Sequence, residues 1–193
     1  MTVSITKRVT KKEQILQETL QLIVSKGIHA TPMSEIAKAA HTGMGTIYNY
    51  FPTKEVLLNE LYFHLKRKEA QLIMEGYDAT KPVKQRFIYL WKKMMQYFLQ
   101  EPLDFMFLEQ FYYSPTINPE AKHRGSLHLE VLDQVYTDGQ ALEIIKPGAI
   151  RKWIGFTSGS LLALVKLHHS QYIIIAEQDI EFFIQSAWDG CKA

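Results

Sequence analysis

Almost every segment of this chain long enough to show a period repeats its apolar residues at i, i+3, i+4 and i+7, and its prolines and glycines fall between those segments. That pattern admits helices and little else. No alternating strand pattern persists, and the one β-like run, Tyr172 to Ile175, leads straight into an amphipathic stretch, so it reads as the approach to a helix. With 47% hydrophobic and 22% charged residues over 193 positions, the chain has the balance needed to bury a core. The expected fold is all-α, with an N-terminal three-helix helix-turn-helix domain over 1–54, a C-terminal helical bundle over 55–193, and about nine helices.

The first helix is expected over 11–26, with Ile15, Leu16, Leu20, Leu22 and Ile23 as its apolar stripe and Gly27 to stop it. Thr31-Pro32 announces the second. Threonine accepts a backbone N–H as N-cap, and proline at the first helical position gives up a donor that is unpaired there anyway. Met33, Ile36, Ala37 and Ala40 form the inner face of that helix, and His41-Thr42-Gly43 breaks it. A third helix from Met44 to Phe51 ends at Pro52, and Thr53 caps a fourth that continues to Met74 and stops near Gly76. Further helical stretches are expected over 82–100, 103–113, 118–137, 148–169 and 176–189, with Asp138-Gly139 read as a break.

Two short helices joined by a tight turn behind a longer one have the shape of a DNA-reading helix-turn-helix. Steps of about 100° around the third helix put Met44, Ile47, Tyr48 and Phe51 on one side, to pack on the second helix, and Gly45, Thr46, Asn49 and Tyr50 on the other. Asparagine bonds an adenine edge with both amide atoms, a threonine methyl meets a thymine methyl, and glycine permits close approach. Phosphate contacts are expected from Tyr48, Tyr50 and Lys54, helped by the N–H groups that open the fourth helix. The pattern alone leaves open a small bundle with an incidental polar face.

Charge points the same way. The net charge is +2, but residues 1–70 hold ten basic and six acidic side chains, as a polyanion-binding module or an ordinary solvated surface would.

The residues themselves resemble a known family. Gly27-Ile28-His29-Ala30-Thr31-Pro32-Met33-Ser34-Glu35-Ile36-Ala37-Lys38-Ala39-Ala40, followed by Gly45-Thr46-Ile47-Tyr48-Asn49-Tyr50-Phe51-Pro52-Thr53-Lys54-Glu55-Val56-Leu57-Leu58, is similar to the DNA-binding domain of TetR/AcrR transcriptional regulators. The resemblance implies a homodimer whose third helices enter successive major grooves of a roughly palindromic double-stranded DNA operator. It implies phosphate contacts from Thr31, Tyr48, Tyr50 and Lys54 and base contacts from Met44, Gly45, Thr46 and Asn49. The turn departs from the family, which usually has Ala-Gly-Val-Ser where this chain has Ala40-His41-Thr42-Gly43; Thr42 is the candidate to replace the missing serine.

Beyond residue 70 the chain is read from its own chemistry. Leu103 to Tyr113 is apolar or aromatic on nearly every side, which means burial all round or an apolar cavity against one face. Trp91, Met95, Phe98, Phe107, Phe111 and Tyr112 are candidates to line a pocket for a hydrophobic or aromatic small-molecule effector, and Glu109, if inward, to pair with a cationic one. Plain core has the same composition. Gly155, Gly159 and Ala163 recur at i+4 spacing, and Ile180, Phe183, Ile184 and Ala187 share one side of the last helix. The resemblance implies that these two helices pair with their copies, although packing within one subunit would use the same spacing.

No catalytic chemistry is legible. The seven histidines lack a paired arrangement with a carboxylate, the lone Cys191 excludes a disulfide and a cysteine zinc site, and no Gly-rich phosphate loop follows a strand. No enzyme activity, cofactor, metal or membrane span is expected. The start of the chain has no apolar signal segment, so a cytoplasmic protein is expected. The functional expectation is a ligand-responsive DNA-binding regulator, a repressor released by its effector; a constitutive DNA-binding regulator and a helical protein-interaction module are the alternatives.

Overall fold

The computed structural model describes residues 10–127 and 129–193; Lys7 and Arg8 of the basic stretch, and His128, lie outside them. Among the described residues there are ten α-helices: α1 Lys11–Lys26, α2 Met33–Ala39, α3 Met44–Tyr50, α4 Lys54–Met74, α5 Val83–Gln100, α6 Pro102–Tyr112, α7 Pro119–Leu127, α8 Glu130–Ala141, α9 Ile150–His169 and α10 Glu177–Cys191. None of these is long and apolar enough to cross a membrane.

Local chemistry sets most ends. The Thr10 hydroxyl accepts from Glu13 N at 3.2 Å while Thr10 N donates to the Glu13 carboxylate at 2.8 Å, a reciprocal cap that opens α1. Gly27, at φ 82°, closes it in a conformation that side chains resist. The Thr53 hydroxyl accepts from Val56 N at 3.1 Å and starts α4.

Three expectations change. Pro32, not Thr31, is the N-cap of α2. The Thr31 hydroxyl turns the other way and donates to Gly27 O at 2.9 Å and Leu22 O at 3.3 Å, tying the loop back to the end of α1. The stretch expected as one helix over 118–137 is two, which raises the count from nine to ten: α7 stops at Leu127, just past Gly125 and Ser126, both weak helix formers, and Leu129 N donates to Ser126 O at 2.9 Å in a tight turn before α8. Asp138-Gly139, conversely, does not break α8. Gly139 is there for packing, because a Cβ on it would come within 2.5 Å of Ile145 Cδ1 and 3.1 Å of Val83 Cγ1.

The chain forms two compact units. One comprises residues 1–64, as far as described, together with 106–122; the other comprises 65–105 and 123–193. In the first, α2 packs on both α1 and α3 over a core of Ile15, Leu16, Ile23, Ile36, Ile47, Phe51, Leu57 and Leu58. The returning 106–122 segment is fastened by Asn59, whose amide donates to Thr116 O at 3.3 Å and Glu55 O at 2.8 Å and whose oxygen accepts from Asn118 N at 2.9 Å.

In the second unit α5 packs against α8, α9 and α10. Phe87 sits edge-on to Trp188 at 5.1 Å and Tyr136 at 5.7 Å between ring centroids. The buried Tyr136 hydroxyl donates to Thr157 Oγ1 at 2.7 Å. Arg86 reaches Asp138 at 2.7 Å, and this guanidinium, with Gln134 behind it, holds the Asp138 carboxyl below its usual range. A group so depressed contributes stability that is present above its unfolded pKa and lost as pH falls through the folded one. Acid unfolding followed below about pH 4 is therefore expected to be less steep in Asp138→Asn than in the wild type.

Candidate nucleic-acid interface

The reading element is small. α3 has seven residues, and only Ile47 is buried; with Phe51 just past the end, it anchors the helix on Met33, Ile36, Ala37 and Ala40 of the preceding element. Everything else projects outward. Gly45, Thr46 and Asn49 are exposed, as are Met44 at 40%, Tyr48 at 44% and Tyr50 at 45%. The helical wheel turned Met44 and Tyr48 inward, and the structure corrects this. A helix of about two turns presents a single inward i, i+4 pair, here Ile47 with Phe51 just past its end, and the residues flanking that pair sit at the rim. Large exposed side chains grouped this way are a contact surface in waiting.

The turn before α3 is unusual. His41 is exposed at φ 46°, where a Cβ is unfavourable and glycine is the ordinary occupant. Replacing it with glycine is expected to raise stability by about 1 kcal/mol in chemical denaturation. Thr42 is half-buried, and its N–H donates to Ala37 O at 2.9 Å, closing α2. Gly43 caps α3 with no side-chain bond.

The structure separates the expected phosphate ligands. Tyr48 and Tyr50 are open to solvent. Lys54 is half-buried and its ammonium donates to Ile28 O, so burial holds its pKa below the ordinary lysine value and a phosphate must compete with that carbonyl. Thr31 is fully buried with its hydroxyl already donated to α1 carbonyls, so its side chain is closed to DNA. Among the other cations, Lys12 pairs with Glu60 at 2.8 Å and Lys26 with Glu35, whereas Lys38 is exposed. Lys11 donates to Gln14 Oε1 at 2.8 Å and also comes close to the turn before α3. Its ammonium lies 3.4 Å from Ala40 O, at the turn into α3. A separation of 29 residues left no sequence signal for that.

Residues 15–61 match the family described as bacterial regulatory proteins, tetR family, and residues 82–192 match a tetracyclin repressor-like C-terminal domain. This chain belongs to the TetR family. The family is one of DNA-binding transcription regulators. An HTH-type transcriptional regulator of Haemophilus influenzae is 34% identical over 89 residues, 46% of this chain and 47% of that one, so the chain spans about half the length of the curated relative it matches. Among solved structures, a TetR family regulator from Marinobacter aquaeolei VT8 superposes with a TM-score of 0.86 at 23% identity, covering 94% of this chain and 95% of the other. A tetR family regulator from Shewanella sp. PV-4 gives 0.82 at 26%, covering 95% and 99%.

In this TetR-family chain the seven residues expected to meet an effector do not gather in one unit. Trp91, Met95 and Phe98 are buried in the second, Phe107 and Phe111 are buried in the first, and Glu109 and Tyr112 are exposed in the first. Glu109 therefore does not face inward. Phe107, Leu108 and Phe111 take the inner positions of that helix, with the Phe107 and Phe111 rings stacked at 4.5 Å.

The residues expected to pair two copies also divide. On α9, Gly155, Gly159 and Ala163 all face solvent, and a Cβ on either glycine would meet nothing within 4 Å. On α10, Ile180, Ile184 and Ala187 are buried in the chain's own second unit, Phe183 is half-buried, and Phe182 at 67% is the exposed apolar group. The side expected to meet a second copy thus packs within its own chain, the alternative use of the same spacing. The opposite side is polar apart from Phe182, with Glu177, Gln178, Glu181, Ser186 and Asp189 exposed, so the apolar side packs on α5 and α9.

Proposed function

We propose that this TetR-family regulator works in the cytoplasm as a homodimeric repressor, binding a roughly palindromic operator through α3 and leaving it when a hydrophobic or aromatic effector binds the C-terminal unit. The observation that carries the reading is the face of α3, where six of seven residues are exposed and Ile47, with Phe51 just past the end, fixes the helix to its support. Gly45, Thr46 and Asn49 meet bases with Met44 beside them, while Tyr48, Tyr50 and Lys54 meet phosphates and Thr42 supports the turn. Thr31 braces the domain from within.

The dimer is built on α9. A glycine inside a helix costs about 1 kcal/mol relative to alanine, and neither Gly155 nor Gly159 has a neighbour in its own chain that requires one. An approaching second copy supplies the reason for both, and Phe156 and Phe182, at 53% and 67% exposure, supply apolar area beside them. Trp91, Met95 and Phe98 are the effector contacts supported by burial in one unit. Effector binding favours a dimer whose two α3 helices no longer match one duplex turn, roughly 34–36 Å.

Gly45 gives the decisive test. A Cβ there meets nothing within 4 Å, so Gly45→Ala is expected to stabilise the fold by about 1 kcal/mol while weakening binding to a selected operator at least about tenfold. Fluorescence anisotropy with denaturation on the same samples reads both. Unchanged DNA affinity would remove α3 from the interface. A compound panel followed by thermal shift, with no stabilising ligand found among apolar and aromatic compounds, would favour a constitutive regulator instead.

A further inference from the structure

The exposed face of α3 carries no charge. Over Met44–Tyr50 there is no arginine, lysine, histidine, glutamine, aspartate or glutamate. Guanine is most often read by an arginine or lysine on O6 and N7, and the cytosine amino group by a carboxylate. This helix has none of those side chains to offer. It does present the carboxamide of Asn49, the methyl and hydroxyl of Thr46, and the thioether of Met44, all exposed. A carboxamide sets one donor and one acceptor at the spacing of adenine N7 and N6, and methyl-bearing or thioether side chains fit the C5-methyl of thymine. The hydroxyls of Thr46, Tyr48 and Tyr50 bond any acceptor and discriminate weakly.

Asparagine and threonine are also short, so they reach base edges only if the backbone comes close to the groove floor. Gly45 makes that approach possible. It lies between Met44 and Thr46, its φ is ordinary, and a Cβ there would touch nothing in the protein. The fold therefore has no use for a glycine at this position, while a duplex pressed against the helix does.

We infer that the operator half-site of this protein is read by α3 as A·T pairs, Asn49 holding an adenine by N6 and N7 and Thr46 and Met44 resting on thymine methyls. The inference rests on α3 being the reading helix and adds the class of sequence it reads. Affinity then comes from phosphate contacts, and sequence preference comes from uncharged ones that salt does not weaken.

Selection of bound fragments from random duplexes by the full-length protein, repeated with Asn49→Ala and Thr46→Ser, tests it. The wild type is expected to enrich A·T pairs at the positions that these substitutions affect. Asn49→Ala is expected to lose about tenfold or more of its preference for one adenine, and 7-deazaadenine placed there is expected to weaken the wild type but not the variant. Uracil in place of the contacted thymine is expected to cost the wild type about fourfold, the worth of one buried methyl group, and to cost Thr46→Ser nothing. A guanine or cytosine at the position whose preference Asn49→Ala erases overturns the A·T assignment while leaving α3 as the reader. If neither variant alters any selected position, α3 does not read bases, and the placement under the proposed function falls with the inference. Uracil and 7-deazaadenine scans on the wild-type protein alone need no variant to fold, and an absence of any effect in both scans is equally fatal.

Discussion

A Gly155→Leu/Gly159→Leu double variant is expected to elute as a monomer near 22.4 kDa in size-exclusion chromatography with light scattering, and to keep its helical circular dichroism. It is also expected to lose operator affinity by at least about a hundredfold, because two half-sites joined in one molecule gain roughly 10²–10⁴ over a single one. The two effects have opposite signs at the level of the chain. Each leucine improves helix propensity by about 0.8 kcal/mol over glycine, and a Cβ at either position meets nothing within 4 Å in its own subunit. In a pair of crossing helices about 8–10 Å apart, four added leucines fill the space through which the backbones approach. A double variant that stays dimeric with full affinity would take α9 out of the interface.

The second large effect is expected from Phe51→Ala. The ring is fully buried at the end of α3, with the Lys12 ammonium over it at 5.7 Å. Truncating it removes apolar contacts and leaves a cavity, for an expected loss of about 3–5 kcal/mol in urea denaturation. With Ile47 as the remaining anchor, α3 also loses half of its support, so DNA affinity is expected to fall further than the populations of unfolded protein account for. A loss under about 1 kcal/mol would mean that the site collapses around the smaller side chain and that Phe51 does not brace the helix.

Much of the first unit was legible. The bounds of α1 and α3, the cap at Thr53, the stop at Gly27 and the inner face of α2 follow from interactions three or four residues apart, which the order of residues displays directly. The polar face of α3 was readable for the same reason. Where the wheel erred, on Met44 and Tyr48, it lacked the width of the supporting helix, and that depends on how α2 is placed.

The family follows from residues in series. Residues 15–61 and 82–192 carry it whether or not a chain is folded, and the helical period carries the all-α class in the same way. Other features arise only when distant segments meet. Lys11 reaching Ala40, Asn59 fastening Asn118, and Gly139 yielding space to Val83 all depend on partners far along the chain. Each was settled by which partner occupied the neighbouring volume, and a close-packed interior admits one such arrangement where a linear pattern admits several.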